Sequence, residues 1–215
     1  MGGKEGFIYL MDADALGNKD HRTPLFTTPQ LGNDEGTFEA KGIWGGLSTW
    51  TDEEGETWTY VPIWGPVSKH APKFPGNNGP NPNGCIMAFK VTMGDSGSPV
   101  LQPAWISGDF SVPEPTVIAN GIVFALSTGE NPHQTHGGAD IIYRGQPLLN
   151  ITERGQNTTH AVLYALDART GKVLYQSGSS MPTWVHFSGL ALADSRVYAV
   201  DHESRVFCFG LAKKE

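Results

Sequence analysis

Basic runs, long apolar runs and cysteine clusters are all missing from this chain of 215 residues. Lys and Arg total 15 against 22 Asp and Glu, a formal net charge of −7, and the positive residues are scattered. A surface of that sign does not match a phosphate backbone, so no nucleic-acid partner is expected. No apolar stretch approaches the roughly 18 residues that cross a bilayer, so no transmembrane segment is expected. Cys85 and Cys208 are the only cysteines, and there is no C-x-x-C, which excludes a thiol redox motif or a cysteine zinc site. The pair reads as one disulfide or as two buried thiols. Residues 1–6 lack a signal-peptide apolar core, and residues 7–12 already read as the interior of a domain. The expectation is a fragment, or a chain whose leader is absent.

Helical periodicity is lacking too. No run between the abundant Gly (27) and Pro (15) sustains a 3.6-residue period. What is present is a series of short apolar segments punctuated by turn residues. Strands are predicted at 7–11, 24–28, 42–50, 57–64, 85–92, 99–106, 116–119, 121–126, 162–166, 173–177, 186–192, 196–200 and 205–210. The fold class is therefore all-β.

The clearest segment is residues 163–175, LYALDARTGKVLY. Tyr164 and Leu166 alternate as in a half-buried strand, Asp167 closes a turn, Gly171 supplies positive φ, and Val173, Leu174 and Tyr175 resume a strand. Related segments recur. Residues 162–167 and 197–201 both end in Asp, with Asp167 and Asp201 34 residues apart. Residues 7–12 end in Asp12, and residues 85–90 are a degraded copy. Asn120-Gly121 is the strongest short hairpin signal, and Asp194-Ser195 takes its place one unit later. The unit is four antiparallel strands, and such a unit repeated radially is a β-propeller.

The hairpin at 164–175 resembles the repeat of pyrroloquinoline-quinone-type (quinoprotein-like) β-propellers, an Ala-x-Asp-x-x-Thr-Gly-Lys core matched by Ala165, Asp167, Thr170, Gly171 and Lys172. Tyr175 stands where an aromatic, typically Trp, follows. Residues 116–124 resemble the first hairpin of the same blade, and residues 2–12 a blade's later strands. The resemblance implies a single propeller segment over 1–215 with blade parts at 7–29, 42–107, 115–178 and 186–212. That is about three to four four-stranded antiparallel blades and an incomplete ring, which self-association would complete. It implies a periplasmic or secreted bacterial protein. Family members include quinone-dependent alcohol and sugar dehydrogenases and non-catalytic scaffolds. Many alcohol-oxidising members carry a vicinal Cys-Cys pair and a Ca²⁺ site. This chain has no Cys-Cys, and the calcium ligands do not map onto it. The first expectation is thus a binding or scaffold module without its own complete active site. The alternative is a fragment of a dehydrogenase, with pyrroloquinoline quinone and calcium bound only if the site is completed elsewhere.

Four further motifs carry candidate chemistry. Residues 94–99, GDSGSP, match a serine-protease nucleophile segment, but His70 is only 26 residues upstream of Ser96 and lacks the family's context, so a turn is the expectation. His133 and His136, followed by Asp140 and His160, have spacing suited to a metal on a loop; the competing reading is a solvated polar loop. Trp44, Trp50, Trp58 and Trp64 are either an aromatic platform or inter-sheet packing, with Trp44/Trp50 and Trp58/Trp64 at even spacing. Asn150 and Asn157 match glycosylation sequons, which matter only in a eukaryotic secretory setting. Asp12, Asp167 and Asp201, repeated between units, are expected to cap turns.

Overall fold

The computed structural model describes residues 1–36, 40–136 and 148–211. The chain is all-β. Among the described residues, fourteen strands form four separate sheets, none of them closed. β1 (Tyr9–Leu10) and β2 (Phe26–Thr27) form a short antiparallel pair. The next sheet has the order β3 (Ser48–Thr51), β4 (Thr57–Trp64), β6 (Gly84–Met93), β7 (Pro99–Ile106) and β5 (Gly76–Asn77). A four-stranded meander follows, β8 (Val117–Ala119), β9 (Ile122–Ser127), β10 (Val162–Asp167) and β11 (Val173–Gln176). The last sheet is β12 (Leu190–Ala193), β13 (Arg196–Val200) and β14 (Val206–Gly210).

Period-2 alternation decides how the sheets stack. On β4, Trp58 and Tyr60 face one core while Val61 and Ile63 face another. On β6, Cys85, Met87 and Phe89 join Val61 and Ile63, with Ile8, Leu31 and Ile43 from the N-terminal region. Ile86 and Ala88 face the opposite way, against Val123, Ala125 and Leu166 of the meander. The meander's other face, with Leu126 and Leu163, packs on Met181, Val185, Val197 and Ala199. The five-stranded sheet and the meander are thus each clamped between their neighbours in chain order. The first strands lie side by side, since β3 touches β8 and β8 touches β12.

The strands at 57–64, 99–106 and 196–200 start and end where the sequence predicts. Others are shorter: the segments at 7–11 and 24–28 keep only the two residues each of β1 and β2. The segment at 42–50 becomes strand only from Ser48, because Gly42 and Gly45 adopt φ of 81° and 114°. The segment at 186–192 begins at Leu190, because Phe187 and Gly189 have φ of 50° and 67°. The parallel strand β5 gives no period-2 signal within its Pro/Asn loop. Its position depends on close approach, as a Cβ on Gly76 would lie 2.8 Å from Trp105 Cβ.

The turns use the expected chemistry. Asn120 and Gly121 both have positive φ (50° and 72°), as do Asp194 and Ser195 (48° and 58°), so both pairs make two-residue hairpin turns. Asp12 Oδ1 accepts the Asp14 N–H at 2.9 Å, and Asp167 Oδ1 accepts the Arg169 and Thr170 N–H groups at 3.1 and 2.8 Å. Asp201 Oδ1 accepts those of Glu203 and Arg205 at 3.0 and 2.9 Å. Asp52, which the repeat pattern does not flag, does the same for Glu54 and Glu56. The 94–99 segment is the turn between β6 and β7, closed by Gly97 N–H on Gly94 O at 2.9 Å, with Ser96 exposed.

The cysteines are neither a disulfide nor two buried thiols. Both are free; Cys85 is fully buried and Cys208 is exposed, because β6 is covered on both faces while β14 is the last strand of an open sheet.

Candidate functional site

The ends of strands from three sheets converge on a chain of aromatic rings. Trp44 stacks on Trp64 (centroids 4.8 Å, 10° between planes), and Trp64 stacks on Phe187 (5.8 Å, 20°). Phe187 meets His186 at 4.2 Å, His186 meets Trp184 at 5.9 Å, and Trp184 stacks on His202 at 4.1 Å. Trp64 closes β4, residues 184–187 lead into β12, and His202 follows β13. Lys4 Nζ sits 3.5 Å above Trp44, and burial lowers the pKa of this ammonium. Of the two evenly spaced tryptophan pairs, Trp58 and Trp64 lie on one regular strand, β4, as their spacing predicts, and Trp44 and Trp50 do not. Because 42–47 is not strand, Trp44 does not share a strand with Trp50; Trp50 lies opposite Trp58 across the β3–β4 hairpin. Trp58 is buried core packing, with Lys90 4.7 Å above it.

Against this arc lie three buried or half-buried charges. Glu130 follows β9 and is 2 % exposed. Its Oε1 accepts a hydrogen bond from Arg154, and its Oε2 is 2.9 Å from His186 Nδ1. A proton on His186 Nδ1 satisfies that carboxylate, an assignment made from the partners. Arg154 comes from α1 (Ile151–Arg154), a single turn started by a capping box in which Asn150 Oδ1 accepts the Glu153 N–H and Glu153 reaches back to the Asn150 N–H. Asn131 Nδ2 donates to Gln156 O at 2.9 Å and ties this turn to the end of β9.

Glu114, between Pro113 and Pro115 ahead of β8, is 1 % exposed. Its Oε2 accepts the Gly189 N–H at 2.8 Å, and the Phe187 N–H also bonds to this carboxylate. Burial pushes its pKa up; those two N–H groups and His186 oppose the shift, and Glu130 adds to it. Among the described residues, only two buried side-chain polar atoms lack a hydrogen-bond partner, Glu114 Oε1 and Arg154 Nε. Both fall in this cluster. The backbone is unusual here as well. Val112 and Phe187 adopt φ of 47° and 50°, a region costly for bulky side chains.

His133 and His136 sit on the exposed loop beside this cluster. The His133 N–H donates to Asn131 Oδ1 at 3.0 Å, and His136 Nε2 lies 3.2 Å from Glu153 Oε2. Among the described residues, neither belongs to a group of three or more His, Cys, Asp or Glu whose ligand atoms lie within 4.8 Å of one another. Asp140, the third residue of that motif, lies outside the described residues. The one such group among the described residues is Asp52, Glu54 and Glu56. Its charges already have partners: Arg169 lies 3.2 Å from both Asp52 and Glu54, and Lys90 pairs with Glu56.

The sequence motifs do not single out Glu114, Glu130, Arg154 or His186. The available signal was an acid between two prolines at the mouth of one apolar strand and a second acid just beyond the end of the next. No protein-family model matches the chain, and no curated protein matches it.

Proposed function

We propose that this chain is a quinoprotein-like β-propeller segment that works as a binding or scaffold module, with its ligand-facing surface at the ring-lined strand ends. The repeat resemblance supports the architecture, together with sheets stacked in chain order and first strands side by side. The observation that carries the binding reading is that both partnerless buried polar atoms of the described residues fall in the Glu114/Glu130/Arg154 cluster. Buried polar atoms are normally paired, and exceptions mark strain, function or a missing ligand.

A quinone does not fit among these rings. Trp44 lies between Lys4 and Trp64, and Trp64 is stacked by Trp44 and Phe187. Neither indole offers a planar cofactor an open stack, and the sequence has no vicinal Cys-Cys. The dehydrogenase alternative therefore needs a site completed by other residues.

A thermal-melt screen with small amines, polyols and carboxylates tests the module reading. A ligand that binds only the folded chain raises Tm by mass action, and Glu130→Gln should blunt the rise. No shift with any solute would reject the site as a binding surface. Dye reduction with pyrroloquinoline quinone, Ca²⁺ and a panel of alcohols and aldoses tests the alternative, and turnover there would replace the module reading.

Self-association and a periplasmic or secreted location belong to the same proposal. The outer face of the last sheet carries Tyr198 and Cys208 as cross-strand partners and Val200 opposite Val206, which is 68 % exposed. Light scattering that returns a monodisperse monomer counts against self-association.

A further inference from the structure

We propose that the free edge of β14 takes up one extended peptide strand of a partner protein, antiparallel to β14 and apolar at alternate positions. This surface is separate from the ring-lined strand ends, so the two are tested independently. The order of the stack shows where such a strand belongs. Among the described residues, the five-stranded sheet continues from β6 to β7 and the meander from β10 to β11, but the last sheet has only three strands. β7 is covered, with Leu101, Trp105 and Ile106 buried, whereas β11 is exposed at all four positions.

The edge offers the hydrogen bonds. The Asp201 N–H donates to Arg205 O at 3.0 Å, so these two residues are a hydrogen-bonded pair of the β13–β14 ladder. Such pairs alternate in an antiparallel ladder, so Phe207 and Phe209 turn their N–H and C=O groups to β13. Val206, Cys208 and Gly210 turn theirs to the open side. β14 carries none of the features that discourage pairing at an edge. It has no charged residue, no Pro and no register shift against β13.

The floor selects the side chains and the occupant. β11 and the edge of β14 border an open groove of about 620 Å³ whose lining includes Phe124, Leu163, Leu174, Tyr175, Phe209 and Leu211. Phe207 and Phe209 pack toward the core between the meander and the last sheet. Alternate residues of an added strand point the same way, over Leu174 and Tyr175, and apolar side chains suit that floor. β14 of a second copy does not fit beside β14. It would bring its own meander beneath it, into the layer that β11 already holds; a single extended segment brings no such layer. At one end Arg196 lies across Gly210, where an added Cβ would be 3.4 Å from Arg196 Cγ. A carboxylate on the first residue of the incoming strand, opposite Gly210, matches that charge.

The test is calorimetric titration of the whole chain with the peptide acetyl-Glu-Val-Thr-Val-Thr-amide, whose two Val residues face the groove. The control is the same peptide N-methylated at both Thr residues, which removes the N–H groups aimed at Cys208 and Val206. The control is expected to bind about tenfold or more weakly, since it loses two hydrogen bonds. Bound peptide should slow amide hydrogen exchange at Val206, Cys208 and Gly210. Leu174→Asp places a charge on the groove floor, and Cys208→Pro removes an N–H that faces the open side. Both positions are exposed, and each change should abolish binding; either carries the test if the other fails to fold. Absent binding, equal binding of the methylated peptide, or unchanged exchange at those three amides under saturating peptide overturns the proposal. So does binding that survives both substitutions. A concentration-dependent dimer in light scattering that Cys208→Pro disperses would mean that a second copy covers the edge, and overturns it too. None of these results bears on the thermal-melt test with Glu130→Gln.

Discussion

Gly171 is expected to be among the costliest glycines in the molecule to replace, and the cost divides into two measurable parts. It has φ of 71°, and a Cβ there would meet Trp105 Cε3 at 2.4 Å, Trp105 Cδ2 at 2.6 Å and Asn78 Nδ2 at 2.8 Å. Trp105 cannot step aside. It is 1 % exposed, and its indole N–H donates to Ala168 O at 2.9 Å, the same carbonyl that accepts the Tyr60 hydroxyl at 3.1 Å. The left-handed backbone costs an alanine roughly 1–2 kcal/mol. Overpacking against a fixed core ring adds about 1–3 kcal/mol, so Gly171→Ala should lose about 2–5 kcal/mol. Gly55 is the control. It has φ of 80° in the β3–β4 turn, and a Cβ placed there would have nothing within 4 Å. Gly55→Ala should therefore cost only the backbone part. Urea unfolding at unchanged slope reads both, and with a slope of about 2 kcal/mol per M the Gly171→Ala midpoint should fall by roughly 1–2.5 M. Equal losses in the two variants would refute the claim that Trp105 fixes this residue.

Glu130→Ala should destabilise by about 3–5 kcal/mol by thermal unfolding, because it leaves Arg154 and His186 facing a buried vacancy; Glu130→Ala combined with Arg154→Met should recover part of that loss. Asp201 gives a pH signature. Burial raises its pKa, but the Arg205 N–H, the Thr183 hydroxyl and the Arg205 guanidinium outweigh burial and hold it below the usual carboxylate range. The stability it adds is present above its unfolded pKa of about 3.9 and is lost as pH falls through the lower folded value. The gap between wild type and Asp201→Asn should therefore be wide at pH 7 and close below about pH 4; a gap constant with pH contradicts this. In thiol labelling, one cysteine should react in the native state and two in denaturant, because Cys208 is exposed and burial pushes the Cys85 thiol pKa far up. Native labelling of both would mean that β6 is not covered on both faces.

The sequence alone determined the all-β class and most turns, because these depend on local geometry. An Asp accepts N–H groups two and more residues ahead, and an Asn-Gly pair adopts positive φ, whatever surrounds them. Strands with a period of two were legible for the same reason. The short parallel strand β5 was not, since it exists only because Gly76 lets the chain approach Trp105. The site was mostly illegible. Glu114, Glu130, Arg154 and His186 lie far apart along the chain, in loops without periodicity, and only the stacking of three sheets gathers their strand ends. Tertiary structure alone decided that Trp44 stacks on Trp64 and that the buried Glu114 has one oxygen satisfied and one not. Local sequence sets the backbone's turns. Burial and the partners of a charge are properties of what packs around it, and here that is chain from both sides of the sheet stack.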